Sequence, residues 1–295
     1  MHDDEAYQQR RKAFHWSLES SPSTMAPSKL LVATALTATA AVAYAYCVQK
    51  KAEAKTETKI CTTKADVASD LCAYIAAKAN EAIAKRGVFH LAVAGGSLLD
   101  LLAGLKDHKV DYSKVVLSFA NHKCVSPSDE KATLSKAKAK FADAIGITKF
   151  VVPMGNPPTS SDGTVEAEFY SMALKDAGVP HSIISGRPVM DLILLGLGAD
   201  GHVGSNHPMG PAVANTKSAV AGSPKSGEPS SITFTIETIN SARQIALVVC
   251  GGSKGKKEAV KRALVRPAEQ PRGTFPAQLL KKPLYFLDSE AAADL

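Results

Sequence analysis

The strongest constraint in this sequence is a series of short, continuously apolar runs that alternate with helical patterns. The runs are Val88 to Ala94, Val115 to Phe119, Phe150 to Pro153, Asp191 to Gly198, Gln244 to Cys250 and Leu284 to Leu287. A strand with one wet face alternates apolar and polar residues; these do not, so each reads as a strand buried on both faces. Between them, Ala65 to Arg86 carries Val67, Leu71, Ile75, Ala79, Ala82 and Ile83 at three- and four-residue spacing, with Gly87 placed as a C-cap. Further helical patterns run from Leu98 to Leu105, through Leu134, Phe141 and Ile145, from Val165 to Ala177 and from Lys254 to Leu264, and another strand is expected at Ile232 to Ile236. The fold class that follows is α/β, a mostly parallel, doubly wound (Rossmann-like) sheet with helices on both faces. In such sheets ligands bind beyond the carboxyl ends of the strands, which directs attention to three strand ends.

The chain has 295 residues, 45% hydrophobic and 21% charged, the composition of a globular protein. Lys and Arg number 35 against 28 Asp and Glu, a modest +7. The lysines are scattered and aromatics are only 6%, so no basic stripe with stacking platforms is present and nucleic-acid binding is not expected. Cys47, Cys61, Cys72, Cys124 and Cys250 are far apart and form no C-x-x-C pair, so they define neither a zinc site nor a disulfide framework.

Residues 1–59 read as an amino-terminal extension and 60–295 as the α/β domain. Within the extension, Leu30 to Val48 is a 19-residue stretch without a charge, close to the roughly 20 residues that cross a bilayer. Its Ala and Thr content makes it a weak span. A single-span anchor, a cleaved targeting peptide (with Met25 as an alternative start) and a surface or disordered helix are the competing readings. Lys50, Lys51, Lys55 and Lys59 follow it, so an anchored form would keep the α/β domain in the cytosol, with membrane contact through residues 30–48. Residues 49–60 read as a charged linker.

At the first strand end, Gly95-Gly96-Ser97 joins a strand to a helix. Two glycines let the backbone approach an anion, and a helix amino terminus offers free N–H groups; the plainer reading is a tight turn with Ser97 as N-cap. At the second, Asn121-His122-Lys123, a cation beside a strand end suits an anionic ligand, and so does a solvated loop. At the third, Gly198-Ala199-Asp200-Gly201-His202 follows a fully apolar strand, so the sheet would hold His202 rigidly at the ligand-binding end. An imidazole of near-neutral pKa can take a proton from water, and a neighbouring carboxylate can fix its tautomer.

Together these three segments resemble the 6-phosphogluconolactonases of the glucosamine-6-phosphate isomerase/deaminase superfamily, from about Thr62 to Leu295. Ser223-Pro224-Lys225, the Thr-Phe-Thr strand, Gly255-Lys256, Phe275-Pro276-Ala277 and Tyr285-Phe286-Leu287-Asp288 extend the likeness toward the lactonases. The resemblance implies hydrolysis of 6-phospho-glucono-lactone to 6-phosphogluconate in the oxidative pentose phosphate pathway, without metal or organic cofactor. It further implies that Gly95, Gly96 and Ser97 cradle the phosphate, that His202 is the general base and that Asp200 supports it. Lys256 matches a lysine of the family's late glycine-and-lysine segment, with Lys254 and Lys257 as neighbouring registers. This chain also departs from the family pattern. Asn121-His122-Lys123 stands for Asp-Glu-Arg, Ser97-Leu98-Leu99 for Ser-Thr-Pro, Ser231 for an arginine, and Ser205-Asn206-His207-Pro208 for Ser-Leu-Phe-Pro. Lys123 keeps a charge for phosphate but lacks the arginine fork. His122 and His207 are the fallback bases. A weakened relative that binds sugar phosphates or acts as a scaffold is one alternative. An amino-sugar-phosphate deaminase is the other, and Asn121 argues against it because an amide cannot abstract a proton. Oligomeric state is left open.

Overall fold

The computed structural model describes residues 56–153, 160–226, 228–252, 255–265 and 270–295. The hydrophobic stretch 30–48 lies outside these residues, and among them no helix is long and apolar enough to cross a membrane. In chain order the elements are β1 (Thr58–Cys61), α1 (Lys64–Arg86), β2 (Phe89–Val93), a 3-10 helix (Ser97–Asp107), β3 (Val115–Phe119) and β4 (Asn121–Lys123). Then come α2 (Thr133–Ala137), which runs into a π-helical turn, β5 (Lys149–Phe150), α3 (Thr164–Asp176), β6 (Leu192–Leu195) and α4 (Pro211–Ala214). The chain closes with β7 (Val220–Ser223), β8 (Ser231–Phe234), α5 (Ile236–Ile239), β9 (Ile245–Val249), α6 (Lys256–Leu264) and β10 (Leu284–Asp288).

Seven strands form one parallel sheet in the order β1-β10-β9-β6-β2-β3-β5. Every residue of β2, β3, β6, β9 and β10 is buried, successive residues included, so both faces are covered as the apolar runs require. α1 starts at a capping box: Thr63 Oγ1 accepts from Asp66 N–H, and the Asp66 carboxylate accepts from Thr63 N–H. It stops at Gly87, whose φ of +78° suits a residue without a Cβ.

Three local expectations need correction. The charged stretch 49–60 is not linker throughout: Thr58–Cys61 pairs in parallel with β10, across the division expected between residues 59 and 60. A single charged lysine does not prevent this, because the Lys59 ammonium lies over the Phe286 ring, 5.6 Å from its centre, while the backbone completes the sheet edge. The strand expected at Ile232–Ile236 is not in the main sheet. As β8 it sits between β4 and β7 in a small antiparallel sheet. Asn121-His122-Lys123, read as a strand-end cluster, is itself β4 of that sheet. The helix expected after Gly96 is present, as a 3-10 helix over Ser97–Asp107.

Candidate active site

The small sheet rises at the carboxyl end of the large one, and its first strand connects two of the three segments singled out above. In β4, Asn121 and Lys123 share one face while His122 points into the core. Asn121 Oδ1 accepts the Gly95 N–H at 3.0 Å, and its Nδ2 donates to Ser205 Oγ at 3.1 Å. One carboxamide thus fastens the glycine turn after β2 to the loop beyond His202. A carboxylate there could accept from Gly95 but could not donate to Ser205.

Gly96 has φ +97° and ψ −163°, a conformation reserved for glycine, and a Cβ built there would meet nothing within 4 Å. Its backbone therefore faces open space. Ser97 is not the N-cap; Gly96 occupies that place and Ser97 is the first helical residue. Its side chain is exposed. Among the described residues no hydrogen-bond partner claims the hydroxyl.

The His202 turn is closed by Gly198 N–H donating to His202 O at 3.0 Å and by Gly201 N–H donating to Gly198 O at 2.9 Å. Asp200 Oδ1 accepts both the His202 N–H at 3.1 Å and a bond from His202 Nδ1 at 2.6 Å. Partial burial works to raise the Asp200 pKa, but the hydrogen bonds from His202 outweigh it and hold the carboxyl below its ordinary value. An ionised carboxylate only accepts, so Nδ1 carries the proton and Nε2 keeps the lone pair. Gly198 is required here: a Cβ would stand 2.1 Å from His202 Nδ1 and 2.8 Å from Asp200 Oδ1. Phe275 lies against Gly201, where a Cβ would come within 2.4 Å of the ring, and Ala277 N–H donates to Gly201 O at 3.0 Å. The Phe-Pro-Ala segment thereby clamps the turn.

A cleft of about 650 Å³ opens at these strand ends. Gly95, Gly96, Ser97, His202 and Lys256 line it. Asp200 stands behind His202, and the Lys256 ammonium donates to Cys250 O at 3.1 Å. Lys123 does not line the cleft. It is paired at 2.6 Å with Glu228, which also holds Lys225 at 2.8 Å. These two lysines push the Glu228 pKa down to about 2. Lys123 is moreover the cross-strand partner of Ser231.

Of the fallback bases, His207 is near, its ring centre 4.8 Å from that of His202. Burial, and next the neighbouring His202 imidazole, lower its pKa. His122 is not in the cleft: its Nδ1 bonds the Lys123 carbonyl, its ring packs edge-on against Phe119, and burial takes its pKa down to about 4. Two further groups at the cleft were given no role from the sequence. Lys64, at the start of α1, lines the cleft and is exposed. Asp288 accepts the Gly251 and Ala291 N–H groups beneath it. The apolar period from Ala65 marked the helix, but not that the first sheet strand brings its start to the cleft.

Comparison with known proteins gives a consistent result. Residues 62–285 match the family described as glucosamine-6-phosphate isomerases/6-phosphogluconolactonase. A probable 6-phosphogluconolactonase 2 of Oryza sativa subsp. indica is 30% identical over 256 residues, covering 81% of this chain and 90% of its own. The chloroplastic 6-phosphogluconolactonase 3 of Arabidopsis thaliana is 30% identical over 258 residues, 82% of this chain and 76% of that one. Among solved structures, 6-phosphogluconolactonase from Leishmania guyanensis superposes with a TM-score of 0.68 at 22% identity, covering 80% of this chain and 97% of that one. A monomeric glucosamine-6-phosphate deaminase gives 0.62 at 21%, covering 80% and 99%. The fold is thus shared by proteins named for both reactions, and the choice between them lies with the side chains.

Proposed function

The chain belongs to the glucosamine-6-phosphate isomerase/6-phosphogluconolactonase family, and from that premise we propose that it hydrolyses 6-phospho-glucono-lactone to 6-phosphogluconate, a step of the oxidative pentose phosphate pathway. The observation that carries this reading is the Asp200–His202 pair at the cleft, with a proton-bearing Nδ1 and an Nε2 lone pair, facing a glycine turn whose backbone is open. His202 Nε2 takes a proton from water as the water oxygen bonds to the lactone carbonyl carbon. The ring C–O bond then breaks, and the imidazolium returns its proton to the departing ring oxygen, leaving a hydroxyl and a carboxylic acid that gives up its own proton to solvent. Asp200 steadies the imidazolium charge between the two transfers.

The phosphate is assigned to the Gly95, Gly96 and Ser97 turn with Lys256 and its ammonium on the cleft wall. Lys123 joins them only by leaving Glu228, so it is an auxiliary to phosphate binding rather than its anchor. Deamination of an amino-sugar phosphate is disfavoured by Asn121, whose carboxamide is committed to Gly95 and Ser205 and has no basic oxygen for carbon deprotonation. The test is turnover by the full chain of freshly generated 6-phospho-glucono-lactone, corrected for spontaneous opening, beside ammonia release from glucosamine 6-phosphate. Lactone turnover without ammonia is expected. Binding of 6-phosphogluconate with no turnover would instead favour the sugar-phosphate-binding alternative.

A further inference from the structure

His207 stands beside His202, with ring centres 4.8 Å apart, and the chemistry above does not use it. Asp200, His202 and His207 each offer one ligand atom, and the three atoms lie within 4.8 Å of one another. The segment that presents His207 is anchored. Asn206 is buried, and its Nδ2 donates to Val203 O, Thr233 Oγ1 and Phe234 O, while Gly210 N–H donates to His207 O at 3.0 Å. The other end of the trio is fixed by the closed turn from Gly198 to His202. Two imidazoles and one carboxylate are a donor set suited to zinc and its neighbours, which such sites commonly hold with three protein ligands and one open position. Ligand atoms around a tetrahedral ion with bonds of about 2.1 Å stand roughly 3.4 Å apart, so closure asks for about an ångström of movement from half-exposed side chains.

We propose that Asp200, His202 and His207 form a divalent transition-metal site whose occupation switches the cleft off. The metal binding stands on geometry alone; the switching rests on the reading of His202 as the base. A neutral imidazole has one lone pair, so whichever His202 nitrogen coordinates the ion, none is left to take a proton from water.

The test uses the full chain after chelator treatment and dialysis. Titration with Co2+ should produce a visible d–d band saturating at one ion per chain, and Zn2+ should displace it. His207→Phe and Asp200→Asn should each weaken Co2+ binding at least tenfold, while His181→Ala, outside the cluster, should not; circular dichroism verifies that each variant is folded. Metal-free protein should turn over the lactone, micromolar Zn2+ should suppress it, and a chelator should restore it. Equal Co2+ affinity in His207→Phe, Asp200→Asn and the parent chain overturns the site. Binding at these residues with turnover undiminished, or turnover that requires the metal, overturns the switch. Because the cobalt band is read without substrate, loss of the band and absence of lactonase activity are separate results.

Discussion

The two ends of the parallel sheet use similar residues to opposite ends. At the amino end, Asp191 is 6% exposed and fully engaged: Arg86 at 2.7 Å, Arg243 at 3.2 Å, and the His90 N–H at 2.9 Å. At the carboxyl end, Asp200 and His202 are half-exposed and hold each other, and the Ser97 hydroxyl and Gly96 backbone beside them face open space. Both ends carry an aspartate, a histidine and basic side chains. What separates structure from chemistry is saturation. A carboxylate whose acceptor oxygens are all spent locks strands together, even with the buried His90 Nδ1 left without a partner beside it, whereas a spare lone pair over a cleft can act on a ligand.

The comparison breaks first at Asp191. Asp191→Ala should destabilise the protein by about 2–3 kcal/mol, less than a fully buried pair because both arginines reach water. Turnover per folded molecule should be unchanged, which a denaturant melt alongside an assay would check. A drop in turnover with no loss of stability would mean that the amino end is not purely structural.

The next effect concerns the buried histidine beneath the small sheet. His122 is kept neutral by burial, with a pKa of about 4 against an ordinary 6.5. The unfolded chain takes up a proton near 6.5 and the folded chain does not until about 4. Stability is therefore fully present above 6.5 and falls as the pH drops through this window, by about 2 kcal/mol at pH 5. His90 is lowered in the same direction by its own burial and adds to the slope. His122→Leu should flatten the dependence between pH 6.5 and 4 in chemical melts; an unaltered slope would remove His122 as its source.

Much of this was legible in the sequence. The central strands announce themselves because burial on both faces forces unbroken apolar runs, and α1 because its period and Gly87 agree. The glycine turn and the His202 turn were legible because each follows directly from such a strand. Elements held by partners far along the chain were not. β1 is an edge strand whose lysine packs on Phe286, some 230 positions away, and β4 is polar because its role is to bridge Gly95 and Ser205. Lys123 reads as a free cation until Glu228, more than a hundred residues later, folds beside it. Spacing reports a residue's own element, and only the tertiary fold reports which partner has claimed it.

The smallest effect lies at the glycine turn. Gly96→Val forces a β-branched residue to φ near +97° and fills the open space over the turn. KM for the phosphorylated lactone should rise about tenfold, about 1.4 kcal/mol, while an unphosphorylated gluconolactone should be affected much less. Equal losses on both substrates would sink the phosphate assignment.

The central claim is that the unsaturated pair at the carboxyl end performs the chemistry, and His202→Ala tests it most directly. The measurement is lactone turnover by the full-length variant at saturating substrate, with spontaneous opening subtracted and the fold verified by circular dichroism. A positioned general base contributes about 100- to 10,000-fold, so the account predicts a fall in kcat of at least about 100-fold in a folded protein. Near-parental turnover by folded His202→Ala would contradict it.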